Sequence, residues 1–262
     1  MRDHVDTQVI IQARMGSSRL PGKVLEEIAG YPALQHVIHR CKAASFVDRV
    51  VVATTERPDD KEIVDWCKRT DTYCVRGCAE DVLDRFVFAC HEFPCRRIVR
   101  ITADCPVIDP AIIDVAVALH KQDHWDYVTN VMKPHFPVGF AVEVLCTDIL
   151  RLLRAETTLK SHREHVTLRI REQPKRFKIF NIPYGEDLSQ YRLTLDYPED
   201  LAALQKLYEF TPTLPTIPSL YELVRILKTN PEIVAINAGI DRYDGLRRSL
   251  NDEGRGMSLQ EG

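Results

Sequence analysis

The chain has 262 residues, of which 45% are hydrophobic and 28% charged; 35 Lys plus Arg against 38 Asp plus Glu leave a formal net charge of -3. That is the make-up of a globular protein with a sizeable core, and it excludes a globally basic nucleic-acid binder. No apolar run approaches the ~20 residues of a membrane span, and Arg2, Asp3 and His4 leave no room for a signal-type apolar start, so a soluble, cytoplasmic chain without membrane insertion is expected.

The first two-thirds alternates strand and helix patterns. Residues 8–12 are a short apolar run, and 32–43 carry Leu34, Val37, Ile38 and Cys41 at helical spacing. Residues 49–53 are β-branched, as in a buried parallel strand. A helix is expected over 59–69, a short strand over 73–75, a helix over 80–91, a strand over 97–101 and a helix over 111–120, started near Asp109-Pro110. Strands alternating with helices predict a three-layer α/β/α fold with a mostly parallel sheet. After Trp125 the pattern changes: strands of mixed orientation are expected over 127–131, 139–145, 177–182 and 192–195, and helices over 147–155, 162–171, 201–208 and 219–227. The organisation expected is one domain over 1–250, with a mixed-strand subregion at 125–190 and a loose polar tail over 251–262.

The eight cysteines show no C-x-x-C pair, which argues against a structural zinc site. Cys41, Cys67 and Cys90 fall on apolar helix faces and read as buried thiols.

The strongest signal is the loop after the first strand, Q-A-R-M-G-S-S-R-L-P-G-K from Gln12 to Lys23. Ligands of open parallel sheets bind at the carboxyl ends of strands. Gly16, Ser17, Ser18 and Gly22 let backbone amides approach an anion, while Arg14, Arg19 and Lys23 add charge suited to a triphosphate. A Walker A loop does not fit: five residues separate Gly16 from Gly22-Lys23, and Val24 stands where that motif places Ser or Thr. Metal ligands are therefore expected elsewhere. Asp104 in R-I-T-A-D-C-P and Asp196 in R-L-T-L-D-Y-P-E-D both stand at expected strand ends and suit Mg²⁺, which takes a few carboxylates, waters and phosphate oxygens. Asp109, Glu199 and Asp200 read as helix-start acids, and Cys105, beside Asp104, as a packing residue.

The loop A-R-M-G-S-S-R-L-P-G-K is similar to the signature of the sugar nucleotidyltransferases, specifically the cytidylyltransferases. V-V-A-T-T-E, R-G-C-A-E-D-V-L-D-R, R-I-T-A-D-C-P-V-I-D-P, R-E-H-V-T and R-L-T-L-D-Y-P-E-D resemble, in order, the branch of SpsF (spore coat polysaccharide biosynthesis) and the related CMP-Kdo synthetases. The resemblance implies a GT-A-like, Rossmann-like fold and transfer of CMP from CTP to an acidic sugar or related acceptor, with release of pyrophosphate, for surface polysaccharide or glycoconjugate synthesis. It implies Arg14, Lys23 and Asp104 in catalysis, and Gln12, Ala13, Gly16, Ser17, Ser18, Arg19, Arg76, Asp81 and Arg85 around the nucleotide. Asp104 and Asp196 would hold magnesium, and Glu143, Arg163 and His165 would contact the acceptor. A homodimer through the mixed-strand subregion is expected as well.

Two departures stand out. Ala103 precedes the first metal-type Asp where the branch commonly has Gly, and Val138 and Ala141 stand where it often has acids. Two rival readings are a GT-A glycosyltransferase consuming a nucleotide sugar and an inactive nucleotide-binding protein. The first lacks its D-x-D motif in T-A-D-C-P; the second does not need both Asp104 and Asp196.

Overall fold

The computed structural model describes residues 3–122 and 124–256. The chain opens with strand β1 (Val5–Gln12), a small hairpin β2 (Glu27–Ile28) and β3 (Tyr31–Pro32), helix α1 (Ala33–Lys42) and strand β4 (Arg49–Thr55). Helix α2 (Lys61–Arg69), strand β5 (Tyr73–Gly77), helix α3 (Val82–Glu92), strand β6 (Cys95–Thr102) and helix α4 (Pro110–Lys121) continue the alternation. Then come β7 (Tyr127–Thr129), β8 (Glu143–Cys146), α5 (Thr147–Glu156), α6 (Lys160–Glu164), α7 (Leu168–Glu172) and β9 (Ile179–Asn181). Four helices close the chain: α8 (Pro198–Tyr208), α9 (Leu220–Thr229), α10 (Pro231–Ala235) and α11 (Asp244–Asp252).

The strands form a seven-stranded sheet in the order β5-β4-β1-β6-β8-β7-β9. The first four run parallel, β8 is antiparallel to both neighbours, and β9 is parallel to β7. β1 sits centrally because it is apolar on both faces: Val9 and Ile11 enter the core on one side and Ile10 the core on the other, all fully buried. Successive side chains point to opposite faces, so a continuous apolar run suits a strand covered by helices on both sides. The α/β/α expectation is met. All eight cysteines are free thiols, with Cys41, Cys67 and Cys90 buried. Among the described residues no helix is long and apolar enough to cross a membrane.

Four expected elements differ, each for a local reason. The strand expected over 139–145 forms only from Glu143, because the side-chain amide of Asn130 takes the places of ladder partners: Nδ2 donates to the Phe140 carbonyl at 2.7 Å, and Oδ1 accepts from the Val142 amide at 2.9 Å. Residues 192–195 are not a strand; their one bridge, Arg192 to Val138, is made to the loop before β8 and lies outside the strands of the sheet. The helix expected over 162–171 is two short helices, α6 and α7, broken where Val166 takes a positive φ of 52°. That break buries Val166 in the core and turns His165 to the other side, toward the cavity described below. The tail expected from residue 251 is ordered at its start. α11 runs to Asp252, Glu253 accepts from the Ser161 amide at 2.7 Å, and Arg255 pairs with Glu172 at 2.9 Å. These charged partners on α6 and α7 hold the polar stretch; residues 257–262 lie outside the described residues.

Candidate active site

A cavity of about 1010 Å³ opens at the carboxyl ends of β1 and β6. Eleven Lys and Arg line it against seven Asp and Glu, so a chain of net negative charge concentrates positive charge in one place. Such focusing draws anions.

The loop after β1 forms its floor. Gly22 has a φ of 73°, a left-handed conformation that a side chain makes costly, and its amide closes the loop onto the Met15 carbonyl at 2.9 Å. The Asp60 carboxylate holds the Met15 amide at 2.6 Å from the far side. The amides of Gly16, Ser18 and Arg19 have no hydrogen-bond acceptor among the described residues. Gln12, Ala13, Arg14, Ser17, Ser18, Arg19 and Lys23 all line the cavity; Gly16 shapes the loop without lining it.

Lys23 is the centre of the charge network. Its Nζ donates to Asp104 at 2.8 Å and to Asp196 at 2.7 Å. Burial disfavours the ammonium, but the two carboxylates outweigh this and raise its pKa. Burial likewise opposes ionisation of Asp104, yet Lys23, the Thr102 hydroxyl and Cys105 bring its pKa down to about 2. The backbone explains why residues 92 positions apart meet: the Leu195 amide and the Thr194 hydroxyl donate to the Asp104 carbonyl at 2.8 and 2.9 Å. Asp200, fully buried, then fixes Asp196 by accepting from its amide at 3.0 Å while gripping Arg192 Nε at 2.8 Å. Asp200 is thus more than a helix-start acid. Cys105 is buried, and burial together with Asp104 pushes its thiol well above the ordinary range, so it packs rather than attacks.

Arg19 donates to Asp196 at 2.7 Å and to Asp244 at 2.9 Å, with its guanidinium 5.0 Å from the Tyr197 ring centroid. Arg14 is half-exposed and 3.9 Å from Glu164. Arg85 is buried, and among the described residues its Nε and one terminal nitrogen have no partner; burial and the Arg14 charge lower its pKa to about 10. Buried polar groups are usually hydrogen-bonded, so these two nitrogens leave donor capacity open at the cavity, with Asp60 and Asp81 acting on the charge from nearby. Asp81 caps α3 through the Asp84 amide at 2.8 Å and also accepts from Arg163. Arg76 stands apart: its guanidinium is tied to the carbonyls of Thr55 and Arg57 at 2.9 and 3.0 Å, off the cavity wall.

At the other end, Glu143 is buried with both carboxylate oxygens engaged by Arg100, Tyr127 and Thr167. It lines the cavity with both oxygens already taken, and so anchors its neighbours. His165 has a buried Nε2 with no partner among the described residues, and burial with the nearby Arg100 and Arg171 lowers its pKa to about 4, so the ring is neutral. Arg57, Arg100, Arg171, Arg242 and the helix α11 also line the cavity and carry no local sequence motif. Only the i, i+4, i+8 spacing of Arg192, Asp196 and Asp200 was there to be noticed.

Two carboxylates converging on one cation beneath a loop of free amides are a donor set suited to Mg²⁺ together with phosphate oxygens. Among the described residues no three His, Cys, Asp or Glu are placed to hold a metal ion between them, so an all-protein metal cage is not formed. A mostly parallel sheet with a cationic glycine loop after its first strand and paired acids beside it is a Rossmann-like α/β fold with an anion-receptive cavity at its strand ends.

Comparison with known proteins narrows the class. A family model described as cytidylyltransferase matches residues 8–232, and the chain belongs to that family. It is 35% identical over 198 residues to the spore coat polysaccharide biosynthesis protein SpsF of Bacillus subtilis, covering 73% of this chain and 81% of that protein. A 3-deoxy-manno-octulosonate cytidylyltransferase of Trichlorobacter lovleyi is 37% identical over 110 residues, 41% of this chain and 42% of its own length. The solved structure of a cytidylyltransferase from Leptospira borgpetersenii superposes with a TM-score of 0.81 at 31% identity, over 88% of this chain and 96% of that one.

Proposed function

We propose that the protein transfers CMP from CTP to an acidic sugar or similar acceptor and releases pyrophosphate. The observation that carries this reading is Lys23 bridging Asp104 and Asp196 directly beside the open amides of the loop. Family membership supports cytidylyl transfer, and the sugar acid in the Trichlorobacter relative's name supports an acidic acceptor. The surplus of cavity cations supports it too, since both substrates are then anions.

In this reading the loop amides, Arg14, Arg19 and Lys23 bind the triphosphate, and the Arg85 guanidinium gains its missing acceptor. Asp104 and Asp196 would hold Mg²⁺, which when bound offsets phosphate charge. An acceptor oxygen attacks the α-phosphorus in line with the departing pyrophosphate, and the fixed cations stabilise the charge that builds on the leaving group. Arg163 and His165 line the acceptor end, and Glu143 serves by holding Arg100 in place. A homodimer through residues 125–190 belongs to the same proposal; light scattering of the purified chain checks it.

The test is pyrophosphate release with each ribonucleoside triphosphate, Mg²⁺ and a panel of acidic sugars. Lys23→Ala and Asp104→Ala are expected to lower turnover by about 10²–10³-fold, as for loss of one preorganised charge-stabilising group. Full activity in both variants sinks the site assignment.

A further inference from the structure

Arg242 lies beyond residue 232, where the family match ends, yet its side chain lines the cavity. Its surroundings differ from those of the cavity arginines Arg19, Arg100 and Arg163, each of which meets a carboxylate. Arg242 meets backbone carbonyls instead: one terminal nitrogen donates to Ser189 at 3.2 Å and the other to Phe136 at 3.5 Å. No Asp or Glu hydrogen-bonds or ion-pairs with it among the described residues; Asp187 acts on it only at longer range, and burial holds its pKa below the ordinary value.

The wall beside it is apolar. Phe136, Pro137, Val138, Phe140 and Ala141 line the cavity, and none of the lining residues from 130 to 141 is charged. This wall is rigidly placed relative to the paired acids. The Val138 amide donates to the Tyr191 carbonyl at 3.0 Å and the Leu193 amide to the Val138 carbonyl at 2.8 Å, on the segment that ends at Asp196. A carbonyl-held guanidinium beside an apolar wall is matched by a ligand with an anion next to hydrocarbon, because the charge meets the fork and the hydrocarbon covers the wall.

We infer that Arg242 and the 136–141 wall form the specificity subsite for the acceptor, taking a carboxylate carried next to an apolar substituent such as a methyl or acyl group. This rests on the transfer reading above and adds the class of acceptor. The two departures Val138 and Ala141 then have a purpose: acids in their places would repel the carboxylate and wet the wall.

The experiment uses the full chain with ¹³C-methyl valine, titrated with butyrate, acetate and 1-butanol, with and without saturating CTP. The Val138 methyl resonances are expected to shift saturably with butyrate, at a Kd at least threefold below that of acetate and tenfold below that of butanol. Arg242→Gln is expected to weaken butyrate at least tenfold and Arg242→Lys by less, while the CTP affinity of both variants stays within twofold of the unsubstituted chain. Butyrate shifts at Val138 that survive Arg242→Gln, butanol binding as tightly as butyrate, or no saturable shift at all would each overturn the subsite. CTP binding without a Val138 response overturns the subsite alone; a Val138 response without CTP binding overturns the transfer reading alone.

Discussion

Lys23, Asp104 and Asp196 form a network in which each charge depends on the others. Lys23 is nearly enclosed, and the two carboxylates that face it more than offset the cost of burying its ammonium. Breaking one side of such a buried pair leaves an uncompensated charge, so these substitutions cost stability as well as turnover. His165 gives a separate handle. In the unfolded chain its imidazole takes up a proton near pH 6.5, whereas in the folded protein burial and the flanking arginines delay this to about pH 4. The unfolded state therefore binds more protons in that window, and stability falls as pH drops from 6.5 toward 4, by at most about 1.4 kcal/mol per pH unit for one group. His165→Asn is expected to flatten that part of the stability profile, measured by urea unfolding at several pH values; an unchanged slope counts against a buried neutral ring. At this scale the loop residues were legible, because glycines, serines and cations cluster within twelve positions. Arg100, Arg171 and Arg242 were not, since a lone arginine looks the same in sequence whether it meets a carboxylate, a carbonyl or a cavity.

The elements that shape the Glu143 and His165 end of the cavity are the irregular ones. The loop before β8 turns at Gly139, whose φ is 104°, and a Cβ built there would stand 2.5 Å from the Leu193 carbonyl oxygen. Gly139→Ala combines a left-handed backbone with overpacking against a main chain that cannot yield. The expected loss is about 2–4 kcal/mol, read from the shift in denaturation midpoint. Because residue 138 pairs with the segment leading to Asp196, the same variant is expected to lower transfer activity at temperatures where it remains folded. The periodicity of 162–171 suggested one helix, and hydrophobic spacing does carry across the break, with Leu168 and Ile170 buried. What spacing could not report is the turn at His165 to Thr167, where Thr167 leaves the helical path to donate to Glu143. In the same way, the β-like pattern of 192–195 reflects buried Leu193 and Leu195, but a segment with one bridge to the loop before β8 suffices to bury them.

The whole molecule separates charge. Its net charge is -3, while the cavity holds eleven cationic side chains against seven acidic ones. Attraction of a triphosphate is then screened by salt, whose Debye length shrinks from about 10 Å at 0.1 M to about 3 Å at 1 M. CTP affinity is expected to fall severalfold or more as ionic strength rises over that range, measured by calorimetry, while binding of uncharged cytidine changes little. Equal salt dependence for both ligands would contradict phosphate recognition by this cavity. α11 completes the enclosure from outside the family-matched stretch: Asp244 holds Arg19, Ser249 donates to Glu164, and Glu253 and Arg255 tie down α6 and α7. Leu246 and Leu250 pack on Leu168 in a small cluster of their own, so this helix is fixed mainly by polar contacts.

Alternating apolar runs and amphipathic helices determined the layered α/β fold from sequence alone, because burying one face of every element leaves few arrangements of such a pattern. The glycine loop that lines the cavity after β1 was equally readable, being contiguous and chemically distinctive. The meeting of Asp104 with Asp196, the broken helix that aims His165, and the arrival of α11 and Arg242 at the cavity were decided by tertiary structure. Each depends on hydrogen bonds between segments far apart in the chain, and a contact of that kind leaves no periodic trace in the sequence.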